Sequence, residues 1–337
     1  MHAIRLHAFG PASNLTYEKT EDPVPGPGQV RIAVAAAGVH LLDTALREGL
    51  TGPYPAPAAL PTVPGREVAG TVDALGEGTD PDWLGKPVVA HLGMAPGGYA
   101  ELAVVDAAKL HEIPPNLDPA EAVAMIGTGR TTMGIVQFAD LGPDSVAIVP
   151  AAAGGIGTLL VQYAKNAGAT VVGLAGGPAK TARVRANGAD LALDYLLPDW
   201  PELVGEFLTS AGHDHATTVF DPVGGPTARA AVDLLGPGGR HLVFGWSSEG
   251  IRDGGPLTFT QEYLTERGIT SESVLGPTML SRAGGPDPLR TLETRALAEA
   301  AAGRLRPAVQ RYPLAEAAEA HRALENRGTT GKVVLIP

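Results

Sequence analysis

The chain has 337 residues, 44% of them hydrophobic and 18% charged, with a formal net charge of −11. That length exceeds what one hydrophobic core usually serves, so two domains are expected; the acidic balance, with no basic tract, argues against nucleic acid as a partner. There is no cysteine, which removes disulfides, thiolate nucleophiles and cysteine-based zinc sites together.

Short strands come first: Ala3–Leu6, Val30–Ala37, Ala69–Leu75, Pro87–His91 and Glu101–Val105. Prolines and glycines punctuate them, as in Pro23-Val24-Pro25-Gly26-Pro27-Gly28, which suits a small, irregular β-barrel-like domain. From Asp118 the period changes. Helices are predicted over Pro119–Ile126, with Asp118 as N-cap, and over Thr131–Ala139. Strands and helices then alternate: Val146–Val149 (strand), Thr158–Ala167 (helix), Thr170–Ala175 (strand), Ala179–Ala186 (helix), Leu191–Leu193 (strand) and Pro201–Ser210 (helix). Thr217–Phe220 (strand), Thr227–Leu235 (helix), Arg240–Phe244 (strand) and Gly268–Leu275 (strand) follow. The alternation predicts a parallel, doubly wound sheet, with Gly168, Gly188 and Gly236 as left-handed helix caps. After Ser281–Gly285 it stops. A helix (Pro288–Ala302), an extended piece (Pro307–Tyr312), a helix (Leu314–Glu325) and a strand (Lys332–Ile336) are expected to complete the first domain.

No stretch approaches ~20 consecutive apolar residues, and the amino terminus lacks the apolar run of a signal peptide. No membrane partner and a cytoplasmic location are the expectation.

Val146–Val149 leads into Pro150-Ala151-Ala152-Ala153-Gly154-Gly155-Ile156-Gly157 and then a helix. Against the dinucleotide fingerprint Ala152 replaces the first glycine, Gly154 is the second and Gly157 the third. Gly154 would let the backbone approach a pyrophosphate, and Gly157 would let the helix pack on the strand; the helix start offers free N–H groups to phosphate. The string alone fits any tight strand-to-helix turn, and its strand–helix–strand setting favours a cofactor. Residues Leu174 to Lys180 hold no acid for a ribose 2′-hydroxyl, so Lys180 is either a solvated lysine or a partner for a 2′-phosphate, which would make the cofactor NADP(H).

The sequence resembles the zinc-independent quinone oxidoreductases of the medium-chain dehydrogenase/reductase superfamily along essentially its whole length. The landmarks are Gly26–Val30, Ala36–Thr44, Val63–Glu67, Ala151–Gly157, Phe220–Gly225, Gly238–Arg240 and Thr330–Leu335. The resemblance implies an α/β fold: a GroES-like β-rich catalytic domain (1–120 and 285–337) and a Rossmann doubly wound cofactor domain (121–284), with the active site between them and a homodimer joined along Gly268–Leu275. It places Ala153, Gly154, Gly155, Ile156, Gly157, Phe244 and Gly245 along NADP(H), and Lys180, Tyr195 and Arg327 around its 2′-phosphate. Tyr195 is otherwise a packing aromatic, and Arg327 a surface charge.

The zinc branch has cysteine where His40 stands and histidine where Arg66 stands, so no three-ligand catalytic zinc is expected and no metal is called for. Without a Lewis acid, an already electrophilic quinone or enone is the acceptor to expect, with a dedicated enoyl or enone reductase as the alternative. A non-catalytic NADPH-binding relative is a third possibility. Relatives commonly carry asparagine at His40; the histidine could orient substrate or donate a proton. Thr131 matches a threonine near the nicotinamide or is a helix-start hydroxyl, and Tyr54 is placed at the pocket mouth. Asp43 and Glu67 read as structural hydrogen-bond partners. Two pocket aromatics of bacterial quinone reductases are here Ala45 and Thr51, which points to a different or wider substrate.

Overall fold

A computed structural model describes residues 1–51, 56–93, 96–248 and 254–337. In chain order its first elements are β1 (His2–Leu6), β2 (Leu15–Lys19), β3 (Gln29–Val39), α1 (Leu41–Arg47), β4 (Glu67–Leu75), β5 (Pro87–His91), β6 (Leu102–Asp106), β7 (His111–Glu112), α2 (Pro119–Ala124) and α3 (Arg130–Val136). Next come β8 (Val146–Val149), α4 (Gly155–Asn166), β9 (Thr170–Ala175), α5 (Pro178–Ala186), β10 (Leu191–Asp194), α6 (Trp200–Ser210), β11 (Ala216–Asp221) and α7 (Gly225–Asp233). The last are β12 (Leu235–Val243), α8 (Gln261–Arg267), β13 (Thr270–Ser273), α9 (Pro277–Ala283), α10 (Pro288–Ala301), β14 (Val309–Pro313), α11 (Ala317–Glu325) and β15 (Lys332–Ile336).

The chain divides into two compact units: residues 1–129, 296–301 and 307–337 in the first, 130–295 and 302–306 in the second. In the first unit a seven-stranded sheet runs β14-β15-β3-β4-β5-β7, with β6 also on β3, and β1 and β2 form a separate hairpin. β3 begins with strict alternation, Val30, Ile32 and Val34 pointing into the core, and ends with Ala36–Val39 wholly buried. It packs with Val72, Val88, Val105 and Leu335. Each fully buried aliphatic side chain of this kind contributes about 1.5–3 kcal/mol.

The second unit is a six-stranded parallel sheet in the order β10-β9-β8-β11-β12-β13. All four residues of β8 are buried, as a central strand covered by helices on both faces requires. This is the doubly wound dinucleotide-binding topology, whose ligands bind at the carboxyl ends of the strands.

The chain departs from the expected pattern in several places. Asp118 caps α2 in a reciprocal box with Glu121, but the helical run does not stop near Ile126. It continues through a π-helical stretch, Met125–Gly129, into α3. Gly168 and Gly188 hold the expected positive φ, whereas Gly236 lies inside β12, and an added Cβ there would overlap the His215 ring. Its glycine serves close packing, not handedness. Gly268 is the left-handed cap of α8, so the predicted strand starts two residues later, at Thr270. Thr260 caps that helix by accepting from the Tyr263 N–H. The turn Pro222–Gly224 is pinned by Asp221, whose Oδ1 accepts from the N–H groups of Val223 and Gly224, both at 2.8 Å.

Candidate active site

The glycine loop connects β8 to α4. Ala151 takes a φ of 51°, costly for a residue with a Cβ, and Gly154 caps α4 in an extended conformation. An added Cβ on Gly157 would overlap the Ala151 carbonyl and the Ala152 Cα, so only glycine lets α4 approach the loop this closely. Ala153 is buried, while Gly154, Gly155 and Ile156 are half-buried, with α4's first N–H groups beside them. Its twelve residues give the aligned peptide dipoles a partial positive charge at this end.

Neighbouring strands bring further predicted residues to the same edge of the sheet. Lys180 lies in the first turn of α5, just after β9. Tyr195 follows β10, and an added Cβ on Gly176 would lie 3.6 Å from its ring. Phe244 and Gly245 follow β12; the Phe244 N–H donates to the Asp221 carbonyl at 2.9 Å, and a Cβ on Gly245 would press on the Pro222 carbonyl. The residues present therefore fit a dinucleotide: the glycine loop brings the first N–H groups of α4 to the carboxyl end of β8, and Lys180 lies in the first turn of the next helix, α5. Thr131 is half-buried in the first turn of α3, inside a helical run and not at its start. Arg327 belongs to the first unit, in the turn after α11, with a φ of 54°. Tyr54 lies outside the described residues.

His40 precedes α1 in the first unit and enters a polar cluster that its sequence neighbours do not announce. Its backbone N–H donates to Asp43 Oδ2 at 2.8 Å, fixing the start of the helix. Its Nε2 lies 2.7 Å from Lys332 Nζ and 2.5 Å from Glu67 Oε1, while Lys332 donates to Glu67 Oε2 at 2.8 Å. The Glu67 and Lys332 side chains are 0% and 4% exposed; that of His40 is 29% exposed, so it is the member of the trio that reaches solvent.

Two glycines make room for the Glu67 carboxylate. An added Cβ on Gly38 of β3 would overlap its Oε2, and one on Gly127 of the π-helical stretch would overlap its Oε1. Burial would raise this carboxyl, but the charges of His40 and Lys332 outweigh it and hold it well below the usual range. Burial lowers Lys332, and Glu67 offsets part of that.

Asp43 accepts from Arg66 at 3.0 Å and from the Tyr99 hydroxyl at 3.0 Å, as well as from His40. Burial pushes its carboxyl up, and His40 and Arg66 pull it below its ordinary value. Behind Tyr99 lies His321, whose Nε2 is 3.3 Å from the hydroxyl and whose Nδ1 is 3.4 Å from an Arg47 nitrogen. Arginine can only donate, so Nδ1 accepts, Nε2–H donates to Tyr99, and Tyr99 donates to Asp43. Burial, with Arg47 adding to it, pushes His321 down to about 4 and keeps it neutral. Burial and Asp43 push the Tyr99 hydroxyl well above its ordinary value.

These positions do not suit a catalytic zinc. Lys332 Nζ stands 2.7 Å from His40 Nε2, and Arg66 donates to Asp43. Among the described residues no group of three or more metal-binding side chains converges.

Residues 26–115 match the alcohol dehydrogenase GroES-like domain, and residues 155–283 the zinc-binding dehydrogenase family. A quinone oxidoreductase of Pseudomonas aeruginosa is 33% identical over 99% of both chains. The chain belongs to the quinone oxidoreductase family of the medium-chain dehydrogenases/reductases. A 2-haloacrylate reductase of Burkholderia sp. is 30% identical over 98% of both chains. An Escherichia coli quinone oxidoreductase, solved in complex with NADPH, superposes with a TM-score of 0.83 at 27% identity, covering 100% of both chains. This family member is thus an oxidoreductase of α/β architecture.

Lys332, Tyr99, His321 and Gly127 were not singled out from the sequence as site residues. For Lys332 there was a signal: a lysine opening a strand that is otherwise Val-Val-Leu-Ile must either stay at the surface or find a buried carboxylate.

Proposed function

We propose that this protein uses NADPH, without a metal, to reduce a quinone or an activated C=C bond. The observation that carries the reading is the Lys332 ammonium 2.7 Å from His40 Nε2, where a catalytic zinc site would need an unprotonated ligand face. A site with no metal to polarise an alcohol favours acceptors that are already electrophilic.

When bound, NADPH supplies the hydride. The chain's own residues do the rest: Gly154, Gly157 and the start of α4 receive the pyrophosphate, and Lys180 and Tyr195 receive the 2′-phosphate. Phe244, Gly245 and Thr131 line the cofactor's path, and His40 offers a hydrogen bond to the acceptor's carbonyl oxygen. Small residues at Ala45 and Thr51 favour an acceptor bulkier than a simple quinone.

Steady-state NADPH oxidation with a quinone series, α,β-unsaturated ketones and enoyl thioesters tests this. Turnover with at least one class is expected; turnover with none would sink the reading.

A further inference from the structure

Asp221 ends β11 with a side chain that is 0% exposed, and so is that of His241 beside it on β12. A carboxylate only accepts. Its Oδ1 takes the N–H groups of Val223 and Gly224, and its Oδ2, 3.1 Å from His241 Nε2, takes the proton of that nitrogen. Nδ1 of the same ring lies 2.9 Å from Ser271 Oγ on β13, the edge strand. A hydroxyl can donate or accept, so Ser271 meets Nδ1 whether the ring is neutral or charged, and Nε2 keeps its proton for Asp221 either way. Phe259 packs edge-to-face on the ring, with centroids 5.6 Å apart. Without the histidine, Oδ2 would be a buried charged oxygen with no partner among the described residues, and the carboxylate would have to turn or take up a proton.

The turn that Asp221 pins is tied to the next strand end. The Pro222 and Val223 carbonyls accept from the N–H groups of Ser247 and Ser248 at 3.0 and 2.9 Å, and an added Cβ on Gly245 would press on the Pro222 carbonyl. Residues 222–224 and 244–248 therefore form one backbone platform at the carboxyl ends of β11 and β12. On the cofactor reading above, the glycine loop after β8 receives the pyrophosphate. Lys180 and Tyr195, after β9 and β10, receive the 2′-phosphate of the adenosine half. The nicotinamide half then falls on the other side of β8, at β11 and β12.

We propose that His241 is a positioning residue: through Asp221 it holds the platform that carries the nicotinamide half of the cofactor. This depends on the NADPH reading above. No bond to His241 is made or broken. Its ring fixes the carboxylate, the carboxylate fixes the turn, and the turn fixes the backbone under the nicotinamide riboside.

The test separates the two halves of the cofactor. Titration calorimetry on the full chain compares NADPH with 2′,5′-ADP, which keeps the adenosine and its 2′-phosphate but lacks the nicotinamide. His241→Leu is expected to weaken NADPH by about tenfold and leave 2′,5′-ADP unchanged. His241→Gln, whose amide can still donate to Oδ2, is expected to bind both as the wild type does. Equal weakening of both ligands by His241→Leu, or of neither, overturns the proposal, as does failure of His241→Gln to restore NADPH. Should His241→Leu not fold, amide exchange of the wild type decides. Val223 and Gly224 are expected to exchange slowly without cofactor, more slowly still with NADPH, and at an unchanged rate with 2′,5′-ADP. Free exchange without cofactor overturns the proposal, as does a response to 2′,5′-ADP equal to that to NADPH. A wild type that binds neither ligand would instead refute the cofactor reading, with exchange in the cofactor-free protein still reading the hold of Asp221 on the turn.

Discussion

The glycine loop after β8 and the polar cluster around Glu67 both depend on glycines, for opposite reasons. In the loop, Gly154 and Gly157 clear space for backbone: a helix start drawn against its own strand, within one turn of sequence. In the cluster, Gly38 and Gly127 clear space for one buried carboxylate, and the groups that neutralise it come from distant segments, with His40 and Lys332 separated by 292 positions. The first arrangement is local and backbone-made, so it survives replacement of Ala152 for glycine. The second is charge balance at long range, where no member tolerates loss of another.

The largest effect that would break this contrast is on the carboxylate slot. Gly127→Ala puts a methyl group where Glu67 Oε1 lies. Expelling or unpairing that buried charge should cost about 3–5 kcal/mol, read as a fall in the urea midpoint. A midpoint close to the wild type's would mean that the slot does not hold Glu67.

Next in size is a pH effect confined to the cluster. His321 is held at about 4, against an ordinary 6.5. Between those values the unfolded chain binds the extra proton, so stability rises with pH. The contribution, about 3 kcal/mol, is fully present above pH 6.5 and is lost as pH falls towards 4. His321→Gln should flatten that slope in unfolding experiments across the window. Parallel curves for variant and wild type would show that the ring is not held neutral.

How much could be read from the sequence follows the same division. The β–α alternation, the Asp118 cap and the glycine loop are set by neighbours within a few residues, and the structure has them. From the sequence one helix ends at Ile126 and the next begins at Thr131, and the π-helical stretch Met125–Gly129 was missed, because Gly127 is placed for Glu67, some sixty positions earlier, and not for helix propensity. α8 was missed because its cap, Thr260, and its terminator, Gly268, flank only seven residues, too few for a periodic pattern to emerge. Asp43 and Glu67 were legible as hydrogen-bond partners. Their partners Tyr99 and Lys332, and His321 behind Tyr99, were not, because only the fold makes them neighbours.

The smallest expected effect sharpens the comparison from the other side. On the proposed reading Gly154 and Gly157 meet features common to both nicotinamide dinucleotides, so a backbone-made loop cannot discriminate between them. Discrimination needs charge, and with no acid between Leu174 and Lys180 the proposed reading assigns it to Lys180. Lys180 is half-buried at the start of α5, where partial screening keeps a charged hydrogen bond to phosphate near the low end of its range. Lys180→Ala should therefore weaken NADPH by about tenfold and leave NADH nearly unchanged, as measured by titration calorimetry with each dinucleotide. Equal weakening of both would assign Lys180 to the helix it starts, and place selection of the 2′-phosphate with Tyr195 and residues elsewhere.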